Sequence, residues 1–475
     1  MQWRGGRLVA LLLSGAAGVA GCAKFSPDAG MFAVEATASA GLRMDIVKIG
    51  DERQAAVVSA RVQQLLAKPL VASTAVQIAL INNRGLQAAY NELGISEAQM
   101  VEASLPPAPT LSFQQVVGSG FEIDRMIVQN VLALLTLPRR REIAASRFRQ
   151  AQARAVEMTL RTAMEAARAY YRAVAANEGV KFLQDSRLSA EAVSDLAKQL
   201  GETGAMSKLE QAREHVFYAE VSGQVATARL RQRGERERLV RALGLWGGDI
   251  RFTLPDKLPA LPRAPKSMAA VERDAMARRV DLHIARMELD ILALQLGLTR
   301  KMRFVNMLEV AGVGKSEKDV KVDNGKVETD KFDRHGFAVE FQIPIYDFGE
   351  ARERLAEETY MRAVNRLLEQ AVIARSQARE AYQNYRGNYD IARHYEREVL
   401  PLRQLISDET MLNYNAMIRD LFTLLAEARA RISANVQALD ARRDFWLASV
   451  DLQAAIIGGR GATEAAAGSG ESGGH

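Results

Sequence analysis

In the second half of the chain Phe337, Val339, Phe341, Ile343 and Ile345 alternate with Ala338, Glu340, Gln342 and Pro344, setting one apolar face against one largely polar face. A period of two predicts a strand. Leu111 and Phe113 against Thr110, Ser112 and Gln114 give a shorter version. Four strands are expected in all: Thr110 to Val117 and Ile123 to Leu135 around Gly118-Ser119-Gly120, then Phe304 to Val313 and Phe337 to Ile345. Between the last two, the charged segment Lys315 to Arg334 with Asn324-Gly325 reads as a long loop. Glu309 and Arg125 interrupt the alternation and fit only if they face water.

Elsewhere the apolar positions follow a helical period. Leu160, Ala163, Ala167, Tyr170 and Val174 are spaced three, four, three, four, and Ala371, Ala374, Ala378, Ala381 and Tyr385 repeat the spacing. Stripes of small residues at this spacing form a coiled-coil seam that lets helices approach closely. The core stripe of an ordinary bundle has the same spacing, so length must separate the two. A helix running from Pro138 to about Leu200 has about 62 residues, roughly 93 Å at about 1.5 Å each, which no compact domain of this size holds. The other predicted helices are Ser73 to Ser104, stopped by Pro106, Pro107 and Pro109; Met206 to Leu243, after the breakers Gly201 and Gly204; Met268 to Leu298; Glu350 to Leu412, kinked at Pro401; and Arg419 to Ile457. Asp45 to Leu66 leaves room for one more. In the first half, the two shorter helices together match the long one, so they could stack end to end beside it.

The order of elements occurs twice. Ala79-Leu80, Leu86, Ala89 and Glu92-Leu93 recur 196 residues later as Ala275-Met276, Leu282, Ala285 and Glu288-Leu289. Ala169-Tyr170 recurs as Ala381-Tyr382, and Leu200 with Leu209 as Leu412 with Leu421, both 212 residues on. A repeat of helix, strand, strand, long helix, helix is expected over 73–250 and again over 268–458. Pro255, Pro259, Pro262 and Pro265 make 251–267 a non-helical linker, and the Gly- and Ser-rich stretch 459–475 reads as a disordered tail.

Charge and chemistry narrow the function. The 63 Lys and Arg nearly balance 57 Asp and Glu, leaving no electrostatic footprint for nucleic acid. His215, His283, His335, His394 and His475 are scattered, with no partner at ligand spacing. There is no glycine-rich phosphate loop or nucleophile elbow, and Glu357-Glu358 reads as a solvated helix face. An enzyme, a metal site and a cofactor are therefore not expected. The single Cys excludes a disulfide framework.

That cysteine ends an N-terminal segment built as a secretory signal, with Arg4 and Arg7 followed by an apolar run from Leu8 to Leu13. The run is too short to span a bilayer. Val19-Ala20-Gly21-Cys22 resembles the lipobox of bacterial lipoproteins, which implies removal of 1–21, acylation of Cys22 and anchoring of 22–72 near the membrane. Ala23, rather than Asp, implies sorting to the outer membrane. The remaining chain has no apolar run of 18 residues, so crossing a bilayer requires a closed barrel. Known barrels start at about eight strands, so four strands need at least two chains, and three would give about twelve.

From about Ser73 to Gly458 the chain resembles the TolC-type outer-membrane efflux factors, in their lipoprotein branch. The resemblance is carried by the duplicated plan, by Ala79-Leu80 with Asn82-Asn83 and Leu86, by the exit from Ala103 to Pro109 into Leu111-Ser112-Phe113, and by Ile343-Pro344-Ile345-Tyr346-Asp347-Phe348-Gly349. It implies a mainly α fold with a small β part: a homotrimer in which a β-barrel in outer-membrane lipid joins a long periplasmic α-helical coiled-coil barrel. It also implies a Gram-negative host, a passive duct, and a periplasmic adaptor (membrane fusion) protein and an inner-membrane efflux pump as partners. In that family the periplasmic tip is constricted by Tyr, Arg and Asp side chains. Tyr414 and Arg419 match two of those positions, and Thr423 and Ala426 stand where the family carries aspartates. Asp420 is expected to point away from Thr423 along the last helix. The alternative is a lipid-anchored periplasmic coiled-coil scaffold with soluble hairpins and no channel.

Overall fold

The computed structural model describes residues 25–458 except 119, 120, 324, 325 and 417. The signal segment 1–21, Cys22 and the tail 459–475 lie outside the described residues. The elements run α1 (Met31–Leu42), α2 (Glu52–Leu66), α3 (Ala72–Asn82), α4 (Arg84–Ser104), β1 (Thr110–Val117), β2 (Phe121–Asn130), α5 (Val131–Glu202) and α6 (Lys208–Leu243). They continue with α7 (Val271–Arg278), α8 (Val280–Lys301), β3 (Met307–Asp323), β4 (Lys326–Gln342), α9 (Glu350–His394), α10 (Leu400–Asn415) and α11 (Leu421–Ile457). The chain groups into two units: one holds Asn91–Ala153 and His283–Glu369, the other Met31–Tyr90, Arg154–Leu282 and residues 370–458.

The first unit contains an antiparallel sheet in the order β1-β2-β3-β4. β1 spans the predicted residues. β2 stops earlier than expected, because the Asn130 side chain accepts the Ala133 amide at 2.8 Å and caps α5. Val131 to Leu135, expected as strand, is therefore helix, and a short apolar run cannot reveal that choice by its period. Pro138 sits inside α5 and withholds one backbone donor there.

β3 and β4 correct the sequence expectation more strongly. Each is 17 residues long, and the segment Lys315 to Arg334 continues the hairpin in unbroken register from Gly314↔His335 to Asp323↔Lys326. Its charged residues hide the alternation that marks the lower half. Pro344, which cannot donate to a ladder, follows two residues after β4 ends at Gln342. Beyond it Asp347 accepts the Gly349 amide at 3.0 Å and turns the chain into α9.

In the second unit both halves of the chain break their first helix. Asn83 (φ −67°, ψ 117°) parts α3 from α4, and Arg279 (φ −66°, ψ 121°) parts α7 from α8. The two positions are 196 residues apart, the displacement of the sequence repeat. Continuous helices were expected over Ser73 to Ser104 and Met268 to Leu298, since no Pro interrupts either. The breaks have a tertiary cause: each kink receives the end of its half's last helix. Asn83 Nδ2 donates to the Ala242 carbonyl at 3.0 Å and Asn82 Nδ2 to that of Gly244 at 2.8 Å, while Arg279 reaches the carbonyl of Ala455 at 3.5 Å. The glycines ending those helices, Gly244 (φ 68°) and Gly458 (φ 88°), sit so close that a Cβ would fall 2.9 Å from Asn82 O and Val280 N respectively. Only glycine meets both demands.

The long helix expected over Glu350 to Leu412 is interrupted by one π turn, Tyr395–Val399, and Pro401 stands in the first turn of α10, where its missing donor is tolerated. The proline-rich connection is fastened to the helices: Tyr389 donates its hydroxyl to the carbonyls of Pro262 and Arg263, both at 3.0 Å, and Trp446 Nε1 donates to Pro259 at 3.0 Å. Tyr385, Tyr389 and Phe445 pack beneath it with Ala378, Ala392 and Ala441.

Candidate membrane face and helix-turn tip

In the first unit the strand register sorts side chains into rows. Leu111, Ile127, Gly312 and Phe337 form one row across all four strands; Gln129, Val310 and Val339 form the next, and Leu308 with Phe341 the one after. Phe337 is 82% exposed and Leu111 73%, and exposed apolar side chains gathered on one face mark an interaction surface. β4 ends at Gln342, so Ile343 and Ile345, expected as strand, lie beyond it: the Ile345 amide turns back to the Ile343 carbonyl at 2.9 Å, and both side chains are exposed. Within β4 the apolar row runs from Phe337 through Val339 to Phe341, roughly 14 Å at about 3.4 Å per residue.

The row on the other side of Phe337 is Phe113, Arg125, Gly314 and His335, followed by Asp333 and then by Lys318 and Lys331. Arg125 thus lies on the apolar face, at its polar border, rather than on the opposite face. Glu309 does lie on the opposite face, paired across the strands with Asn130 and Glu340, and it accepts from Asn130 Nδ2 at 3.3 Å. That second face holds small and apolar residues at its middle, Val128, Ala311, Val313 and Ala338, and charges on either side of them. Lys315 pairs with Glu122, and Arg334 lies 3.9 Å from Glu317. Apart from this amphipathic sheet, no described helix is long and apolar enough to cross a membrane. Within one chain β1 and β4 each keep an unpaired edge.

In the second unit the sequence-predicted tip residues meet at the turn joining α10 to α11. Tyr414 is in the last turn of α10, half-buried. The amides of Ile418 and Arg419 both donate to the Asn413 carbonyl, at 2.9 and 3.3 Å, and fold the turn back on the helix end. Arg419 is exposed and makes no ion pair within 4 Å among the described residues. α11 begins at Leu421 rather than Arg419, and this changes the part played by Asp420. Standing just outside the helix, Asp420 accepts the Thr423 amide at 3.0 Å and the Thr423 hydroxyl, so it faces Thr423 instead of pointing away. These bonds, the hydroxyl first, hold the Asp420 carboxyl below the usual carboxylate range. Ala426, exposed, is three residues on and shares the helix face of Thr423. The turn from α5 to α6 is closed by a reciprocal cap in which Ser207 accepts the Glu210 amide at 3.2 Å and Glu210 accepts that of Ser207 at 3.0 Å.

Several neighbours went unforeseen. Leu425 packs with Ala190, Phe217 and Val221, and Arg213 lies 5.4 Å from the Phe422 ring centroid, tying α5, α6 and α11 together. Arg403 joins α10 to α11 through Glu427 at 3.3 Å. Glu214 is fully buried with neither carboxylate oxygen hydrogen-bonded, and burial pushes its carboxyl up, opposed by Arg429. In sequence Glu214 sits three residues before Phe217 on the buried stripe of α6, which is the only signal that could have marked it.

No group of three His, Cys, Asp or Glu able to hold a metal is present among the described residues. A mainly helical chain carrying one small antiparallel sheet between its helical segments is the fold of outer-membrane channel proteins. In particular, the chain is similar to CusC, solved in connection with its transmembrane channel formation (TM-score 0.68, 15% identity, covering 82% of this chain and 92% of that one). It is likewise similar to the outer-membrane channel OprN (0.67, 17%, 89% and 95%) and to the Campylobacter jejuni outer-membrane channel CmeC (0.64, 17%, 82% and 86%). These neighbours are channels rather than enzymes. No protein-family profile and no characterised sequence matches the chain.

Proposed function

We propose that this protein is a TolC-type outer-membrane efflux factor, the passive exit duct of a tripartite efflux system. The carrying observation is the sheet: four strands with both edges open, one face lined by exposed apolar side chains and the other carrying bonded charges, on a fold shared with outer-membrane channels. Closing those edges requires further copies of the same sheet, and three copies give a barrel of about twelve strands. The helices also await neighbours, since Val372, Ile391, Leu402 and Leu405 expose their side chains along α9 and α10. The homotrimer encloses a water-filled path from barrel to helical tip. Cys22, once acylated, adds a lipid anchor in the outer membrane. A periplasmic adaptor and an inner-membrane pump supply substrate and energy, and their docking opens the tip.

In this reading Tyr414 and Arg419 narrow the tip, with Thr423 and Ala426 in place of an acidic ring. Three Arg419 side chains converging on one axis repel one another, so the closed state needs hydrogen-bond acceptors from neighbouring chains. Planar-bilayer recording of the purified protein tests both parts. Discrete conductance steps are expected, and Arg419→Ala should enlarge them several-fold. Absence of any conductance in either protein would overturn the duct, and an unchanged step size in the variant would remove Arg419 from the gate.

A further inference from the structure

In the second unit α5 presents two opposite faces. Tyr170, Val174, Asn177 and Lys181 lie within about 60° of one another around the helix, at about 100° per residue. This face is strapped. Tyr170 donates to the Leu70 carbonyl at 3.1 Å, the Leu70 amide to that of Thr253 at 3.0 Å, Asn177 to that of Pro255 at 3.1 Å, and Lys181 pairs with Asp256. Arg161, Glu165, Arg168 and Arg172 lie roughly 140–180° away by the same geometry, on the unstrapped face. There they meet Arg238 and Arg241 of α6 around a groove of about 440 Å³.

The charges in this groove do not cancel. Arg168 is buried, and its Nε is 2.6 Å from Asp451. Glu235 holds Arg238 at 2.6 Å. That leaves Arg161, Arg172 and Arg241, none in an ion pair among the described residues, against Glu165 alone. Arginines clustered around a concave wall focus positive potential into it, and their planar forks match carboxylate, sulfonate and phosphate oxygens.

We propose that this groove is a binding site for anionic groups and that, with the strapped face outward, it opens into the lumen of the duct, so that the exported substrates include anionic compounds. The lumenal part rests on the duct proposed above; the anion site stands on the groove itself. Passing anions would be held there briefly by Arg161, Arg172 and Arg241, with Glu165 limiting the affinity so that they leave again.

Calorimetric titration of the detergent-solubilised full chain with tripolyphosphate at low salt tests the site. Saturable binding is expected, weakened at least tenfold in the triple variant R161Q/R172Q/R241Q and strengthened several-fold in Glu165→Gln, a gain that misfolding cannot imitate. No saturable binding in the unaltered chain, or equal affinity in all three proteins, would overturn the proposal. Binding without bilayer conductance would sink the duct and its lumen while leaving the anion site, whereas conductance without binding would sink the anion site alone.

Discussion

Val339→Arg should abolish stable insertion into the outer membrane, while Ala338→Arg, one residue away, should leave insertion largely intact. The two positions face opposite sides of β4. Val339 lies in the apolar row with Val310, between those of Phe337 and Phe341, whereas Ala338 lies on the face shared with Glu340 and pairs with Ala311. An arginine held at the midplane of a membrane barrel costs about 2–4 kcal/mol, falling to about 0–1 near the interfaces. A threefold assembly incurs that penalty three times, comparable in sum to the whole stability of a typical domain. The opposite face already accommodates Lys315 and Arg334, and an arginine at 338 has Glu309 and Glu340 in the next row. Urea extraction of membranes carrying each variant separates the outcomes. Equal membrane retention for the two would mean that the apolar face does not meet lipid.

Arg279→Ala is expected to destabilise the chain by about 3–5 kcal/mol, the cost of stranding one partner of a buried charge pair. Arg279 is buried and donates to both Asp281 oxygens, at 3.0 and 2.7 Å, to Gln377 at 2.9 Å and to the Ala455 carbonyl. One side chain thus holds the α7–α8 break, α9 and the end of α11 together. At the equivalent break in the first half, Asn83 does the work with neutral bonds, to the Ala242 carbonyl and from the Leu86 amide. Asn83→Ala should therefore cost about 1 kcal/mol, as for the loss of a helix cap. Arg279→Lys keeps the charge but loses the two-pronged contact, and should fall between. Denaturant unfolding of the solubilised protein would measure all three, and an Arg279→Ala loss no greater than that of Asn83→Ala would contradict this clamp.

Legibility in the sequence followed the range of the forces involved. β1 could be bounded from its alternation between Pro109 and Gly118, and Pro401 marked where the long helix is interrupted, because strand alternation and a missing backbone donor act locally. The breaks at Asn83 and Arg279 were not legible, since they are imposed by carbonyls of helix ends about 160 to 180 residues away. The upper halves of β3 and β4 were hidden for another reason. Their pairing is backbone pairing, and charges such as Lys315, Glu317, Asp333 and Arg334 carry no apolar period. At the tip, Tyr414, Arg419, Thr423 and Ala426 were placed by resemblance, and the structure gathers them about one turn. The capping by Asp420 turned on a two-residue shift in where α11 starts, and the buried Glu214 required knowledge of what packs against α6.

The most direct test of the membrane duct uses the chain with Cys22→Ser, so that no lipid anchor contributes. If the sheets of three copies close a barrel in the bilayer, the purified protein has the mass of a trimer in detergent micelles and precipitates when the detergent is withdrawn. A monodisperse, detergent-free monomer would contradict the duct and leave a periplasmic scaffold in its place.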